Sequence, residues 1–149
     1  MAFWMSRRSF EIDLLVRAPL DVVRAQFVEP TRWLRSHPLI TDVVPRPGEP
    51  GGYDIHEIVR FLGVNVNNKY RVRIAVHEDG VDSEAWSSPA ISIQSRLAWR
   101  ADGDGTRIHE ETVIDVPLPV ASFVQRTARR AHEDQLGRLR DEIEGASQV

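Results

Sequence analysis

The sequence predicts an α+β fold in which an antiparallel sheet is followed by a long C-terminal helix. Apolar and polar residues alternate over most of the stretch from Tyr53 to Val116, as they do in strands with one buried face. The segment from Val120 to Glu144 contains no proline and carries an apolar stripe at helical spacing. The chain has 149 residues, 42% hydrophobic and 28% charged. That size suits one core, so we expect residues 1–149 to form a single domain.

The N-terminal part predicts one strand and two short helices. Residues 10–16 alternate between apolar and polar side chains, which predicts the first strand. Pro19 suits the first turn of a helix, and apolar residues recur at helical spacing from there to Phe27. A second helical turn is expected from Thr31 and ends before Pro38, because the residue that precedes a proline is disfavoured in the helical conformation.

The remainder of the sheet is predicted as short strands separated by turns. Glycine, proline, aspartate and serine mark the turns, since these residues favour tight or irregular backbone. The expected strands are 40–44, 53–61, 64–76, 81–86, 91–99 and 106–116. The expected breaks are the loop 45–52, the turns at 62–63 and 78–80, the Ser-Ser-Pro break at 87–89 and the turn at 102–105.

The order of these elements resembles the START-related, polyketide cyclase/dehydrase superfamily. The matching motifs are Val16-x-Ala18-Pro19-x-x-Val22 after the first strand, Pro30-x-x-Trp33 in the second helix and Gly105-Thr106-Arg107 entering the last strand. The resemblance covers nearly the whole chain. It implies a helix-grip fold, in which a curved sheet wraps around the C-terminal helix and leaves an apolar cavity. Members of the superfamily include carriers, cyclases, receptors and chaperone cofactors, so function has to be argued from the site.

Several polar residues fall on strand faces that are otherwise apolar, and the alternation directs them inward. They are Glu57, Asn68, Ser95, Glu110 and Thr112. A buried, unpaired carboxylate is costly, so Glu57 and Glu110 need a partner, water or a ligand. If the protein is an enzyme, these two residues are its candidate acid/base groups. The alternatives are a register shift that exposes them to solvent and a buried arginine that pairs with them.

The middle of the C-terminal helix carries small or polar residues where it should press on the sheet. These residues are Thr127, Ala128, Ala131 and Gln135. Small side chains opposite a concave sheet leave space, unless aromatic residues such as Phe61 or Tyr70 fill it. We therefore predict a cavity. Its predicted ligand-binding residues are Trp33, Phe61, Asn68, Tyr70, Ser95, Trp99, Thr112, Thr127, Ala128, Ala131 and Gln135.

Neither a cofactor nor a metal is expected. The chain has no cysteine, which excludes disulfides, thiol catalysis and zinc–thiolate sites. The histidines at positions 37, 56, 77, 109 and 132 show no metal-binding spacing, and no phosphate or dinucleotide loop is present. A net charge of -3 gives no general attraction to nucleic acid. The arginines of the last helix, among them Arg126, Arg129 and Arg130, predict a solvated face, and the alternative is contact with an anionic membrane or an acidic ligand.

The N-terminal sequence MAFWMSRRSF lacks the pattern of a secretory signal, so a cytoplasmic location without stable membrane insertion is expected. Its apolar start, Ala2 to Met5, fits a disordered end, an extension of the first strand or a small dimer contact. The chain is expected to be a monomer or a homodimer.

Three functions are compatible with these observations. The first is binding of a small hydrophobic molecule, lipid-like or polyketide-like, for carriage or sequestration. The second is a cyclase/aromatase-type enzyme that uses Glu57 or Glu110 to transfer protons. The third is a chaperone-like or regulatory interaction module whose cavity has no ligand.

Overall fold

The computed structural model describes residues 4–87 and 90–147, which form a curved antiparallel sheet around a long helix. The strands are β1 (Met5–Val16), β2 (Ile40–Pro45), β3 (Gly52–Phe61), β4 (Val64–Val76), β5 (Gly80–Ser87), β6 (Ile91–Asp102) and β7 (Gly105–Pro117). The α-helices are α1 (Leu20–Gln26), α2 (Pro30–Trp33) and α3 (Ala121–Ser147), and short 3-10 turns cover Leu34–Ser36 and Leu118–Val120. The predicted helix-grip fold is confirmed.

The sheet places β1 and β2 at its two edges. Its strand order is β1-β7-β6-β5-β4-β3-β2, and every neighbouring pair is antiparallel. Strands β2 to β7 follow one another as hairpins, whereas β1 pairs with β7. Helices α1 and α2 lie in the segment between the two edge strands and pack near α3 and β2.

Helix α3 is held near both ends, once to β1 and once to the residue that follows β1. Near its start, the Gln125 amide donates a hydrogen bond of 2.8 Å to the backbone carbonyl of Ser9. Near its other end, Glu144 accepts the backbone N–H of Arg17 at 2.9 Å. These two contacts fix the helix across the concave face. The predicted arginine face is exposed, and Arg129 pairs with Glu133 at 2.8 Å.

Buried apolar side chains form two clusters. The larger one includes Phe27, whose ring stacks on Trp99 at 5.2 Å, and it continues to Ile143 of α3. The smaller one contains Phe10 and Ile114. Close packing fills both clusters. Residues that border either cluster also line the cavity described below.

The main difference from the predicted elements is the start of β1. It begins at Met5 rather than near residue 10, because its polar residues pair with β7 and Arg7 forms a double contact with Asp115 at 2.8 and 3.2 Å. Of the alternatives for the apolar start, extension of the first strand holds for Met5. Ala2, Phe3, Ser88 and Pro89 lie outside the described residues.

The remaining boundaries shift by a few residues. Helix α3 begins at Ala121, after the 3-10 turn, and continues to Ser147 instead of ending at Glu144. No helix in the described ranges has the length and apolar composition needed to span a membrane.

Candidate functional site

A cavity of about 490 Å³ lies between the concave face of the sheet and α3. Its wall is mostly apolar and includes Val59, Phe61 and Val66 from the β3–β4 hairpin, and Ile93 from β6. The sheet curves away from the small residues in the middle of α3, which leaves this volume unfilled. Cavities of about 300–1,000 Å³ with few polar groups are typical of small-molecule sites.

Glu57 is one of the polar groups in this wall. One oxygen of its carboxylate accepts a hydrogen bond of 2.9 Å from the amide of Asn68, the residue opposite it on β4. The Asn68 oxygen in turn accepts the hydroxyl of Ser87 at 3.2 Å. Burial raises the pKa of Glu57, although the Asn68 hydrogen bond and the charge of His132 oppose that change. Ionisation of this side chain is therefore less favourable than ionisation of an exposed glutamate.

Glu110 is more deeply buried, with 6% of the residue exposed. Its Oε1 lies 2.9 Å from Nδ1 of His132 on α3. Burial by itself lowers the pKa of His132, but the charge and hydrogen bond of Glu110, together with the charge of Glu57, raise the pKa above its usual value. The contact is therefore a charge-assisted hydrogen bond between a carboxylate and an imidazolium. The other oxygen of Glu110, Oε2, is buried and has no hydrogen-bond partner among the described residues.

His37 lies beside His132, with ring centroids 5.8 Å apart in an edge-to-face arrangement. Its Nδ1 accepts the backbone N–H of Leu39 at 3.2 Å, so the neutral ring carries its proton on Nε2. Burial, with the nearby charges of His132 and Arg138, lowers the pKa of His37 to about 3. The surroundings thus favour the charged form of His132 and the neutral form of His37.

Tyr70 and Gln135 are two further polar residues of the wall. Burial and the charge of Glu57 raise the pKa of Tyr70, which keeps its phenol neutral. The Gln135 amide donates a hydrogen bond of 3.1 Å to the backbone carbonyl of Trp33, and so joins α3 to α2. Trp33 itself donates its indole N–H to the carbonyl of Phe27 at 3.1 Å.

Most of the predicted site residues line this one cavity. They are Trp33, Glu57, Phe61, Asn68, Tyr70, Ser95, Glu110, Thr127, Ala128, Ala131 and Gln135. The predicted alternatives for Glu110 are not observed, because the residue is buried and its partner is a histidine rather than an arginine. The acid/base role of Glu57 and Glu110 stays a prediction.

Two predicted residues, Trp99 and Thr112, are not part of the described cavity wall. Trp99 points inward but is covered by Phe27, and its indole N–H donates to the carbonyl of Glu78 at 2.8 Å. Thr112 is 1% exposed, and its hydroxyl lies 2.8 Å from that of Ser95. Both side chains therefore support the wall from behind.

His37 and His132 were absent from the predicted site. The signal for His132 is its position on α3, four residues after Ala128 and three before Gln135, which places all three on one helical face. A histidine in that stripe indicates a polar partner on the sheet. His37 follows a 3-10 turn, and no periodicity in the sequence marks its direction.

A group of possible metal ligands lies on the opposite, outer face of the sheet. The carboxylates of Glu11 and Glu111 and the ring of His109 place one ligand atom each within 4.8 Å of one another. Both glutamates are exposed, and His109 lies 3.5 Å from Glu111. This group is separate from the cavity and contributes nothing to its wall.

The fold and sequence are similar to those of known proteins. A family model described as polyketide cyclase/dehydrase and lipid transport matches residues 7–144. No curated protein matches the sequence significantly. A conserved protein from Geobacillus kaustophilus is 9% identical with a TM-score of 0.75, covering 93% of this chain and 97% of its own. The Zhui aromatase/cyclase from Streptomyces sp. R1128 is 14% identical with a TM-score of 0.69, and the match covers 93% of this chain and 94% of that protein. A START superfamily protein from Mycobacterium smegmatis is 14% identical with a TM-score of 0.69, and the match covers 93% of this chain and 98% of that protein. At these identities, the structural likeness shows the fold alone.

Proposed function

Because this chain belongs to the polyketide cyclase/dehydrase and lipid transport family, we propose that it binds a small hydrophobic molecule in its cavity, for carriage or sequestration. The observation that carries this proposal is the cavity of about 490 Å³ between the sheet and α3. Protein interiors are normally close-packed, and a volume of this size is not filled by the protein's own side chains. An apolar ligand would remove that surface from water.

The composition of the wall supports binding of an apolar ligand body. Side chains from β3, β4, β6 and α3 contribute aliphatic and aromatic surface, and the T-shaped contact of Phe61 with Phe123, at 4.8 Å, bridges the hairpin and the helix. Transfer of apolar surface from water into such a site is favourable by about 25 cal/mol per Å². The few polar groups are positioned to orient the ligand.

The experiment is a titration with an apolar fluorescent probe, combined with a variant that fills the cavity. Ala131 is 3% exposed and lines the cavity from α3, so Ala131→Trp directs an indole into the open volume. We expect the native protein to bind the probe saturably and this variant to bind it at least about tenfold more weakly. Stability should stay similar or rise, because the indole gains buried apolar area.

The matched control is Ala25→Trp, which makes the same substitution at an exposed position of α1. It should leave probe binding unchanged. If Ala131→Trp binds the probe as tightly as the control does, the probe lies outside the cavity. If Ala131→Trp instead lowers the free energy of unfolding by about 1 to 3 kcal/mol or more, the helix packs directly on the sheet and the proposal loses its basis.

A further inference from the structure

The unpartnered oxygen of Glu110 points to a particular kind of ligand group. Glu110 lines the cavity with 6% of its surface exposed, one oxygen is held by His132, and Oε2 has no partner among the described residues. Buried polar atoms are nearly always hydrogen-bonded, and a carboxylate oxygen can only accept. The missing group is therefore a hydrogen-bond donor that reaches Glu110 from the cavity.

The charges of the wall also restrict the ligand. Among the described residues that line the cavity there is no arginine and no lysine. The cationic group His132 is already paired with Glu110, and Glu57 adds a second carboxyl group. A ligand carboxylate or phosphate would meet acceptors without a free cation, and burial of an unpaired anion is strongly unfavourable.

A ligand cation is also disfavoured. Glu110 and His132 form a pair whose charges cancel, while Tyr70 and His37 are neutral. Burial opposes the ionised form of Glu57, and the oxygen that Asn68 contacts already accepts a hydrogen bond. An ammonium group would lose its hydration on entering the cavity without gaining an equal counter-charge.

We propose that the ligand of this cavity is a neutral apolar molecule with a hydroxyl group, an alcohol or a phenol, whose O–H donates to Oε2 of Glu110. This proposal rests on the proposed function and specifies the chemical class of the ligand. Carboxylates such as fatty acids are poor ligands of the same site. The apolar body occupies the space between the β3–β4 hairpin and α3.

The test is displacement of the apolar probe by 1-decanol, decanoate and decylamine, which share one chain and differ in the polar end. In native protein near neutral pH, 1-decanol should bind about 10- to 100-fold more tightly than decanoate, as expected for one hydrogen bond to a charged acceptor. Decylamine should bind more weakly than 1-decanol. Decanoate or decylamine that matches or exceeds 1-decanol would overturn the proposal while leaving the cavity-binding function intact.

The variant Glu110→Gln tests the residue itself. It replaces the anionic acceptor by an amide of similar size, so 1-decanol should bind about tenfold more weakly and its preference over decanoate should shrink. The control is Glu111→Gln, at the adjacent, exposed position on the outer face of β7. It should keep the native preference. An unchanged preference in Glu110→Gln would contradict the assignment to Glu110.

Failure of the proposed function has a different signature. In that case the probe shows no saturable binding to folded native protein, and none of the three ligands changes its fluorescence. The relative affinities of the three ligands are measured on native protein and need no variant. The proposal therefore remains testable even if Glu110→Gln does not fold.

Discussion

His37 and His132 lie in contact at the cavity wall, yet opposite effects act on their charges. His132 has Glu110 at 2.9 Å, which stabilises its imidazolium. His37 is largely removed from water beside the charges of His132 and Arg138, and a backbone N–H occupies its acceptor nitrogen, so its protonated form is disfavoured. One additional proton on the pair would place two cations in contact. The protein therefore favours the charged form of His132 and the neutral form of His37.

This difference predicts how stability depends on pH. The folded pKa of His37 is about 3, below its unfolded value of about 6.5, so below pH 6.5 the unfolded state takes up a proton that the native state does not. Stability from this residue is thus present at neutral pH and lost as pH falls. When pH is lowered from 7 to 5, the free energy of unfolding of native protein should fall by about 1 to 2 kcal/mol more than that of His37→Gln. Urea unfolding at both pH values measures this difference.

The variant His132→Gln tests a pH dependence of stability that has the opposite sign. The pKa of His132 is higher in the folded state than in the unfolded state. His132 therefore contributes its full stabilisation below the unfolded pKa, and this stabilisation is lost as pH rises through the folded pKa. The free energy of unfolding of native protein should therefore fall relative to that of His132→Gln as pH rises above the unfolded pKa of about 6.5. Equal pH dependence of native protein and both variants would show that neither histidine is perturbed as described.

At the scale of single elements, the β3–β4 hairpin contains a strained residue. Its two-residue turn has Leu62 at φ 50° and Gly63 at φ 79°, the conformation in which asparagine followed by glycine is strongly preferred. A leucine at positive φ costs about 1 kcal/mol through contact of its Cβ with the backbone. Leu62 is also 87% exposed, so it gains little from burial.

We expect Leu62→Asn to raise the free energy of unfolding by about 1 kcal/mol, because asparagine tolerates this backbone conformation. The complementary variant is Gly63→Ala, whose Cβ meets no heavy atom within 4 Å. Backbone strain alone should then lower the free energy of unfolding, by about 1 kcal/mol. Urea unfolding measures the stability of both variants. A lower free energy of unfolding in Leu62→Asn would contradict the claim that the backbone at Leu62 is strained.

The same hairpin illustrates what the sequence allows one to predict. Alternation on both sides of Leu62-Gly63 defines its strands and directs Glu57 and Asn68 inward, as observed. Alternation cannot indicate which part of a concave face another element covers. Trp99 points inward as predicted, but Phe27, which lies between α1 and α2, covers it. The start of β1 was missed for a similar reason, because its pairing depends on distant β7.

The site was predicted least well where a polar residue sits within an apolar stripe. His132 interrupts the pattern of α3, and its polar partner is Glu110 on β7, a residue 22 positions away in the sequence. The small residues Ala128 and Ala131 carried a stronger signal, because a gap in side-chain volume on one face of a helix is visible in the sequence alone.

For the whole molecule, a bound ligand should stabilise the fold. A ligand that binds only the native state adds about 2.7 kcal/mol at a concentration 100 times its dissociation constant. For a chain of this length, that corresponds to an increase in Tm of about 5 to 10 °C. We expect 1-decanol to raise the Tm in this way, measured by circular dichroism. Ala131→Trp, whose cavity is filled, should show no such increase, and an equal increase in both would indicate binding elsewhere.

The pairing of β1 with β7 also has a consequence for the time course of folding. Met5 lies opposite Pro117 and Val16 opposite Thr106, so β1 is synthesised long before its neighbour in the sheet exists. Contacts between residues so distant in sequence form slowly, because a long loop must close before they are made. Helix α3 contacts Ser9 of β1 and Arg17 just after it, so docking of the helix also requires closure of a long loop. A ligand can therefore be enclosed only late, once the first and last parts of the described chain have come together.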